Sequence, residues 1–329
     1  MSDSRTGRRR LTDVPALVSA ARDGDPRALA RLISLVENDD PALPALAAAL
    51  APHTGHAQVI GLTGSPGVGK STTTNELVRA LRARGQRVGV LAVDPSSPYT
   101  GGAILGDRVR MQDHATDPGV YIRSMSARGH LGGLAAATPQ AVRILEGAGC
   151  DVVLVETVGV GQAEVAVASL ADTTLVLLAP GMGDAIQAVK AGILEIADVF
   201  VVNKADRDGA DATYRDIQGM LGLVSRGPGE WRPPVVRAVA AKGEGIDDVL
   251  AAIDKHRDWL VAHDELRRRR EARAAAEVEA IALATLRARM GSLRDGTALP
   301  ALAAAVAGGR SDPYTAARTL LEGLAGRSS

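Results

Sequence analysis

The chain has 329 residues, 46% hydrophobic but only 2% aromatic, so the core of one large domain or two ordinary ones must be built from Ala, Val, Leu and Ile. Lys plus Arg equals Asp plus Glu at 38 each, which excludes a global electrostatic case for nucleic acid or an anionic membrane surface, and scarce aromatics leave no stacking platform for bases. A single cysteine, Cys150, excludes a disulfide framework, a thiolate cluster and a CxxC pair, and with no apolar run near the about 18 residues of a membrane span, a soluble cytoplasmic protein is expected.

Arg8-Arg9-Arg10 suggests an export signal, but none is expected here, because Asp13, Arg22 and Asp23 interrupt any apolar segment after it. Residues 11–50 are rich in Ala, Leu and charge, and Leu29, Leu32, Ile33 and Val36 fall on one helix face, which predicts two or three short helices. Pro41 and Pro44 punctuate them, and Pro52-His53-Thr54-Gly55 links into a different pattern. From Gln58 onward, β-branched runs at 59–63, 87–93, 120–123, 152–155, 174–178, 199–202 and 235–239 alternate with amphipathic stretches such as 72–84 and 140–148. That alternation predicts right-handed crossovers and a mostly parallel sheet, with function at the carboxyl ends of its strands. After Trp259 comes a long Arg, Ala and Glu helix through Met290, then breaks at Gly291, Gly296 and Pro300, and a last helix opening at Ser311-Asp312-Pro313. Val278, Ile281, Leu286 and Met290 give the long helix an apolar stripe, read either as packing on its own domain or as a dimer contact.

Gly64-Ser65-Pro66-Gly67-Val68-Gly69-Lys70-Ser71 matches GxxxxGK[ST] between an apolar strand and a helix, the context a phosphate loop requires. The glycines let successive N–H groups and the helix N-terminus face an anion. Lys70 is expected to reach the β- and γ-phosphates, Ser71 to ligate Mg2+, and Thr72 to complete the nucleotide-binding set at the helix start. This chain is thus read as an α/β P-loop NTPase, with a mostly parallel central sheet flanked by helices and with N- and C-terminal helical extensions. The expected boundaries are 1–55 for the first extension, 56–258 for the P-loop domain and 259–329 for the C-terminal arm.

Asn203-Lys204-Ala205-Asp206 follows the run 199–202. The Asp206 carboxylate can accept from guanine N1–H and the exocyclic amine, whereas adenine would leave it unpaired, so GTP is expected over ATP. Three acids are candidates for managing the metal: Asp94 at the end of the run 87–93, Asp107 in a glycine-flanked loop, and Glu156 after 152–155. Glu156-Thr157-Val158-Gly159 resembles a DxxG element with Glu in place of Asp, and the Gly159 N–H can meet the γ-phosphate, so this loop is expected to change shape on hydrolysis. No Gln follows Gly159 directly and Gln162 stands three residues on, which suggests a slow intrinsic rate that a partner raises.

These motifs, with Ala92-Val93-Asp94-Pro95-Ser96-Ser97-Pro98, 100–107, Ile122-Arg123-Ser124-Met125, Arg128-Gly129-His130-Leu131-Gly132-Gly133, 156–162 and 192–206, closely resemble the MeaB/ArgK accessory GTPases. That family is similar to nickel-insertion GTPases and serves adenosylcobalamin-dependent acyl-CoA mutases, of the methylmalonyl-CoA or isobutyryl-CoA mutase type. The resemblance implies a GTP- and GDP-binding chaperone that gates cofactor loading and protects or rescues the mutase, and a homodimer joined through the C-terminal helices. It also maps a mutase-sensing loop onto 181–190, making Asp184, Gln187 and Lys190 candidates to link contact to hydrolysis; Asp184 and Gln187 equally suit a helix cap. Ala185 stands where an acidic residue is common in the family. Val239-Ala240-Ala241 replaces a Ser-Ala pair, so the N–H of Ala240 or Ala241 is expected at guanine O6. A nickel-insertion metallochaperone would call for a His-rich tract or Cys and His site, against six scattered histidines. A P-loop kinase, suggested by the family's old "arginine kinase" label, fits the guanine-reading turn poorly.

Overall fold

The β-branched runs become strands β1 (Gln58–Thr63), β2 (Val88–Asp94), β3 (Val120–Ser126), β4 (Val152–Thr157), β5 (Thr173–Leu178), β6 (Val199–Val202) and β7 (Val235–Arg237). The structure, a computed structural model, describes residues 13–94, 114, 116–126, 137–157, 163–181, 194–227, 229–294 and 298–325. All strand pairs are parallel, in the order β3-β2-β4-β1-β5-β6-β7. Every residue of β1, β4, β5 and β6 is buried, which is why these segments read as apolar runs rather than alternating ones. The chain moves one way from β1 to β2 and the other way from β4 to β5, so the ligand crevice falls at the carboxyl end of β1.

Helices α1 (Val14–Arg22), α2 (Pro26–Glu37) and α3 (Leu43–Leu50) precede the sheet. Asp13 and Asp25 cap the first two through Ala16 N–H and Arg27 N–H, each with Pro in the first turn. Leu32 and Ile33 of α2 are fully buried, contributing about 1.5–3 kcal/mol each. With α5 (Thr138–Gly147) and α6 (Ala163–Leu170) these helices share a core with Val59, Val153 and Val155. The alternate strand residues, Ile60, Leu62, Val90 and Leu154, pack on the other face against α4 (Lys70–Ala83) and α8 (Ile246–Ala262). On the far side of the sheet, α7 (Ala210–Leu223) buries Ile217 against Phe200 and Val202.

Several boundaries differ from the sequence reading: β3 and β4 run on to Ser126 and Thr157, the long C-terminal helix continues through Gly291 to Arg294, and Pro300 falls inside the next helix, where a first-turn proline needs no N–H, instead of breaking the chain. Two others have a cause in the contacts around them. Helix α4 begins at Lys70 rather than Thr72, because Gly69, left-handed at φ 98°, turns the loop straight into the helix. Strand β7 stops at Arg237 instead of Val239: Val239 N–H bonds back to Glu244 O, and Gly245, at φ 76°, lies where a Cβ would meet Arg237 O at 2.3 Å.

The chain divides into two compact units, Met1–Arg267 and Arg268–Ser329. The second holds most of α9 (Glu265–Arg294) and all of α10 (Ala298–Ala307) and α11 (Pro313–Ala325). Helix α11 opens where the Ser311-Asp312-Pro313 signal places it, with Asp312 accepting from Tyr314 and Thr315 N–H. Val278, Ile281 and Leu286 on α9 are 68%, 50% and 51% exposed. Among the described residues no helix is long and apolar enough to cross a membrane.

Candidate functional site

The loop leaving β1 is shaped by its glycines. Gly64, Gly67 and Gly69 all have positive φ, and a Cβ at Gly64 or Gly69 would lie 2.3 Å from Leu177 O or Asn203 Nδ2. Val68 is fully buried and anchors the loop in the core, while Pro66 and Gly67 at its tip are exposed. Lys70, only 7% exposed, donates from Nζ to Gly64 O at 2.6 Å and Ser65 O at 3.2 Å, so its ammonium lies inside the curl of the loop. Thr72 is exposed on the first turn of α4.

The end of β4 meets the same turn of α4. Ser71 Oγ donates to Glu156 Oε1 at 2.6 Å, and Glu156 is 1% exposed. Thr74 Oγ1 lies 2.9 Å from Glu156 Oε2. Thr74 had no place among the sequence candidates; the available signal was its position three residues after Ser71, one turn along the same helix face. Asp94 closes β2 at the same edge of the sheet, in register with Ser126. Asp107, Gly159, Asp184, Gln187 and Lys190 lie outside the described residues.

The turn after β6 binds the loop from the other side. Asn203 Nδ2 donates to Val68 O at 2.8 Å while its Oδ1 accepts Ala240 N–H at 3.0 Å. Lys204, left-handed at φ 57°, donates from Nζ to Gly67 O at 2.6 Å. Asp206 pairs with Lys242 at 3.1 Å, and that hydrogen bond holds its carboxyl below the usual carboxylate range while Asp206 raises the ammonium of Lys242. Lys242 is a second neighbour the sequence candidates lacked. Ala240 N–H is committed to Asn203, which leaves Ala241 as the candidate whose N–H is not engaged there. A cavity of about 250 Å³ lies elsewhere, at the amino ends of β2 and β3, lined by Arg87, Tyr121 and Cys150 among others, and includes none of these groups.

An anion-shaped loop and an Asn-Lys-x-Asp turn, hydrogen-bonded to each other at the carboxyl edge of a parallel sheet, have the geometry of a P-loop GTPase. Comparison with known proteins agrees and goes further. Residues 29–294 match the family described as methylmalonyl Co-A mutase-associated GTPase MeaB. A Pyrococcus abyssi protein named as a GTPase is 46% identical over 316 residues, 95% of this chain and 97% of its own. GTPase ArgK of Escherichia coli is 40% identical over 257 residues, 76% of this chain and 78% of its own. The methylmalonic aciduria type A homolog of Mus musculus is 41% identical over 215 residues, 64% of this chain and 52% of the mouse protein. Among solved structures, that of an LAO/AO transport system kinase aligns with TM-score 0.69 at 29% identity, covering 94% of this chain and 96% of its own. The chain belongs to the MeaB family and is a GTPase that binds guanine nucleotide.

Proposed function

We propose that this GTPase is the accessory protein of an adenosylcobalamin-dependent acyl-CoA mutase, of the methylmalonyl-CoA or isobutyryl-CoA mutase type, using its nucleotide cycle to gate cofactor loading and to protect or reactivate the mutase. The observation that carries the reading is the match of residues 29–294 to a family whose description names methylmalonyl-CoA mutase. In this reading residues 56–258 run the cycle, 1–55 extend it, and 259–329 join two copies into a homodimer.

The residue roles follow from chemistry. Gly64, Ser65, Pro66, Gly67, Val68 and Gly69 present backbone N–H groups to the phosphates. Lys70 exchanges the two loop carbonyls it now binds for β- and γ-phosphate oxygens. The donor set also fits Mg2+: a hydroxyl and a carboxylate 2.6 Å apart are hard oxygen ligands, and this ion takes one or two protein oxygens and fills the rest of its octahedron with phosphate and water. Ser71 and Glu156 would hold it, with Asp94 and Asp107 as further acids, and bound there it neutralises charge developing on the transferred phosphoryl group. Gly159 senses the γ-phosphate, and Asp184, Gln187 and Lys190, in the role that the family resemblance rather than their own chemistry implies, couple mutase contact to hydrolysis. Asp206 reads guanine N1–H and the exocyclic amine, and Ala241 N–H meets O6 in preference to Ala240.

The test is a pull-down of methylmalonyl-CoA mutase and, separately, of isobutyryl-CoA mutase by the full-length protein in GDP, in a non-hydrolysable GTP analogue and without nucleotide. Retention that differs between nucleotide states is expected. No retention of either mutase type in any state defeats the reading.

A further inference from the structure

Thr74 carries no role so far, yet it shares a carboxylate with the residue proposed to bind metal. Ser71 and Thr74 lie one turn apart on α4 and reach opposite oxygens of Glu156, at 2.6 Å and 2.9 Å. Thr74 is fully buried and Glu156 is 1% exposed, so water does not compete for the contact. Thr74 Oγ1 is also 3.0 Å from Lys70 O, and a hydroxyl has one proton to give. Donation to the carboxylate is the stronger choice, because a charge-assisted hydrogen bond outweighs a neutral one by about twofold.

We propose that Thr74 is the positioning residue for Glu156. By holding Oε2 it fixes the plane of the carboxylate with Oε1 toward Ser71, and it keeps that hold when Ser71 Oγ turns from Glu156 to a magnesium ion. The last torsion of a glutamate is intrinsically broad and poorly restrained, so a buried hydrogen bond on Oε2 narrows the orientations open to Oε1. The proposal rests on the reading of Ser71 and Glu156 as the magnesium holders. Partners of this kind, one shell out from a metal, typically change metal affinity about 10- to 100-fold when removed.

The experiment follows release of N-methylanthraniloyl-GDP from the full-length protein while Mg2+ is titrated, and reads the Mg2+ concentration that half-maximally slows release. Thr74→Val keeps the shape and removes the hydroxyl; Thr74→Ser keeps the hydroxyl. The midpoint is expected to rise about 10-fold or more in Thr74→Val, and in Thr74→Ala should the valine variant not fold, and to return within about twofold of wild type in Thr74→Ser. A wild-type midpoint in Thr74→Val, or a Thr74→Ser midpoint displaced as far as the valine variant's, overturns the proposal. Glu156→Gln separates the two levels. If it displaces the midpoint and Thr74→Val does not, only the role of Thr74 falls; if Glu156→Gln and Ser71→Ala both leave it in place, the magnesium reading falls too.

Discussion

Asp206 is the residue on which the proposed choice of base turns, and its surroundings set the pH range over which it can act. Its partner Lys242 stands 3.1 Å away, with both side chains open to solvent, so the pair adds little to stability. What the pair does is electrostatic: the lowered carboxyl of Asp206 stays ionised through neutral pH and is protonated only as pH falls through that lowered value. Preference for GTP over ATP is therefore expected to be flat from neutral pH down to about 5 and to decline only in more acid solution. Asp206→Asn keeps the shape but loses the charged acceptor of two hydrogen bonds. The ratio of kcat/KM for GTP over ATP should fall about 10- to 100-fold. A ratio equal to wild type's would remove Asp206 from the guanine site. Lys70, Ser71 and Asp206 are legible in the sequence because their motifs are local, each spelled by adjacent letters that one turn of chain must place together. Thr74 is not legible in that way, since the partner that gives it meaning is Glu156, 82 residues further along and on a different element.

At the scale of elements, the site is three connections, after β1, β6 and β7, locked by one side chain. Asn203 grips Val68 O with its amide nitrogen and Ala240 N–H with its oxygen, so the phosphate loop, the turn after β6 and the turn after β7 move as one. Gly69 is what lets Asn203 come so close. Gly69→Ala adds a methyl 2.3 Å from Asn203 Nδ2 at a residue with φ 98°. The left-handed strain alone costs about 1–3 kcal/mol, and displacement of Asn203 loosens its hold on the phosphate loop and on the turn after β7. Thermal unfolding should move down by several degrees, and GDP affinity should fall with it; an unshifted melting curve with unchanged GDP affinity would show that Asn203 has room to yield. The parallel strands themselves are readable in the sequence because strands buried on both faces must be apolar throughout. Their ends are less so. Where β7 stops depends on Val239 bonding back to Glu244 and on Gly245 passing under Arg237, contacts made by the folded chain rather than by local propensity. Likewise the 3.6-residue period of α2 announces a buried face at Leu29, Leu32, Ile33 and Val36 but not that the sheet and α5 are what covers it.

For the whole molecule the open matter is the apolar surface of α9. Val278 and Ile281 lie one turn apart, 68% and 50% exposed in the chain, with Leu286 half exposed beyond them. Helix α10 is nearly all Ala, Leu and Val, and none of its residues is buried. So much exposed aliphatic surface on consecutive helices is the mark of a surface that associates, and the proposed homodimer gives it a partner of matching chemistry. Because these side chains are exposed in the single chain, a charge there should cost the monomer little, within about 0.5 kcal/mol per site. Buried between two copies, the same charge would face a desolvation penalty of several kcal/mol without a partner. The double substitution Val278→Glu with Ile281→Glu therefore separates folding from association. Wild type is expected to sediment at twice the 33.9 kDa of one chain. The double variant should sediment as a monomer while keeping its melting temperature at high dilution and its affinity for GDP, since the phosphate loop and the guanine turn both lie within Met1–Arg267. A wild-type protein that is monomeric, or a variant that still dimerises, would detach the homodimer from this face of α9.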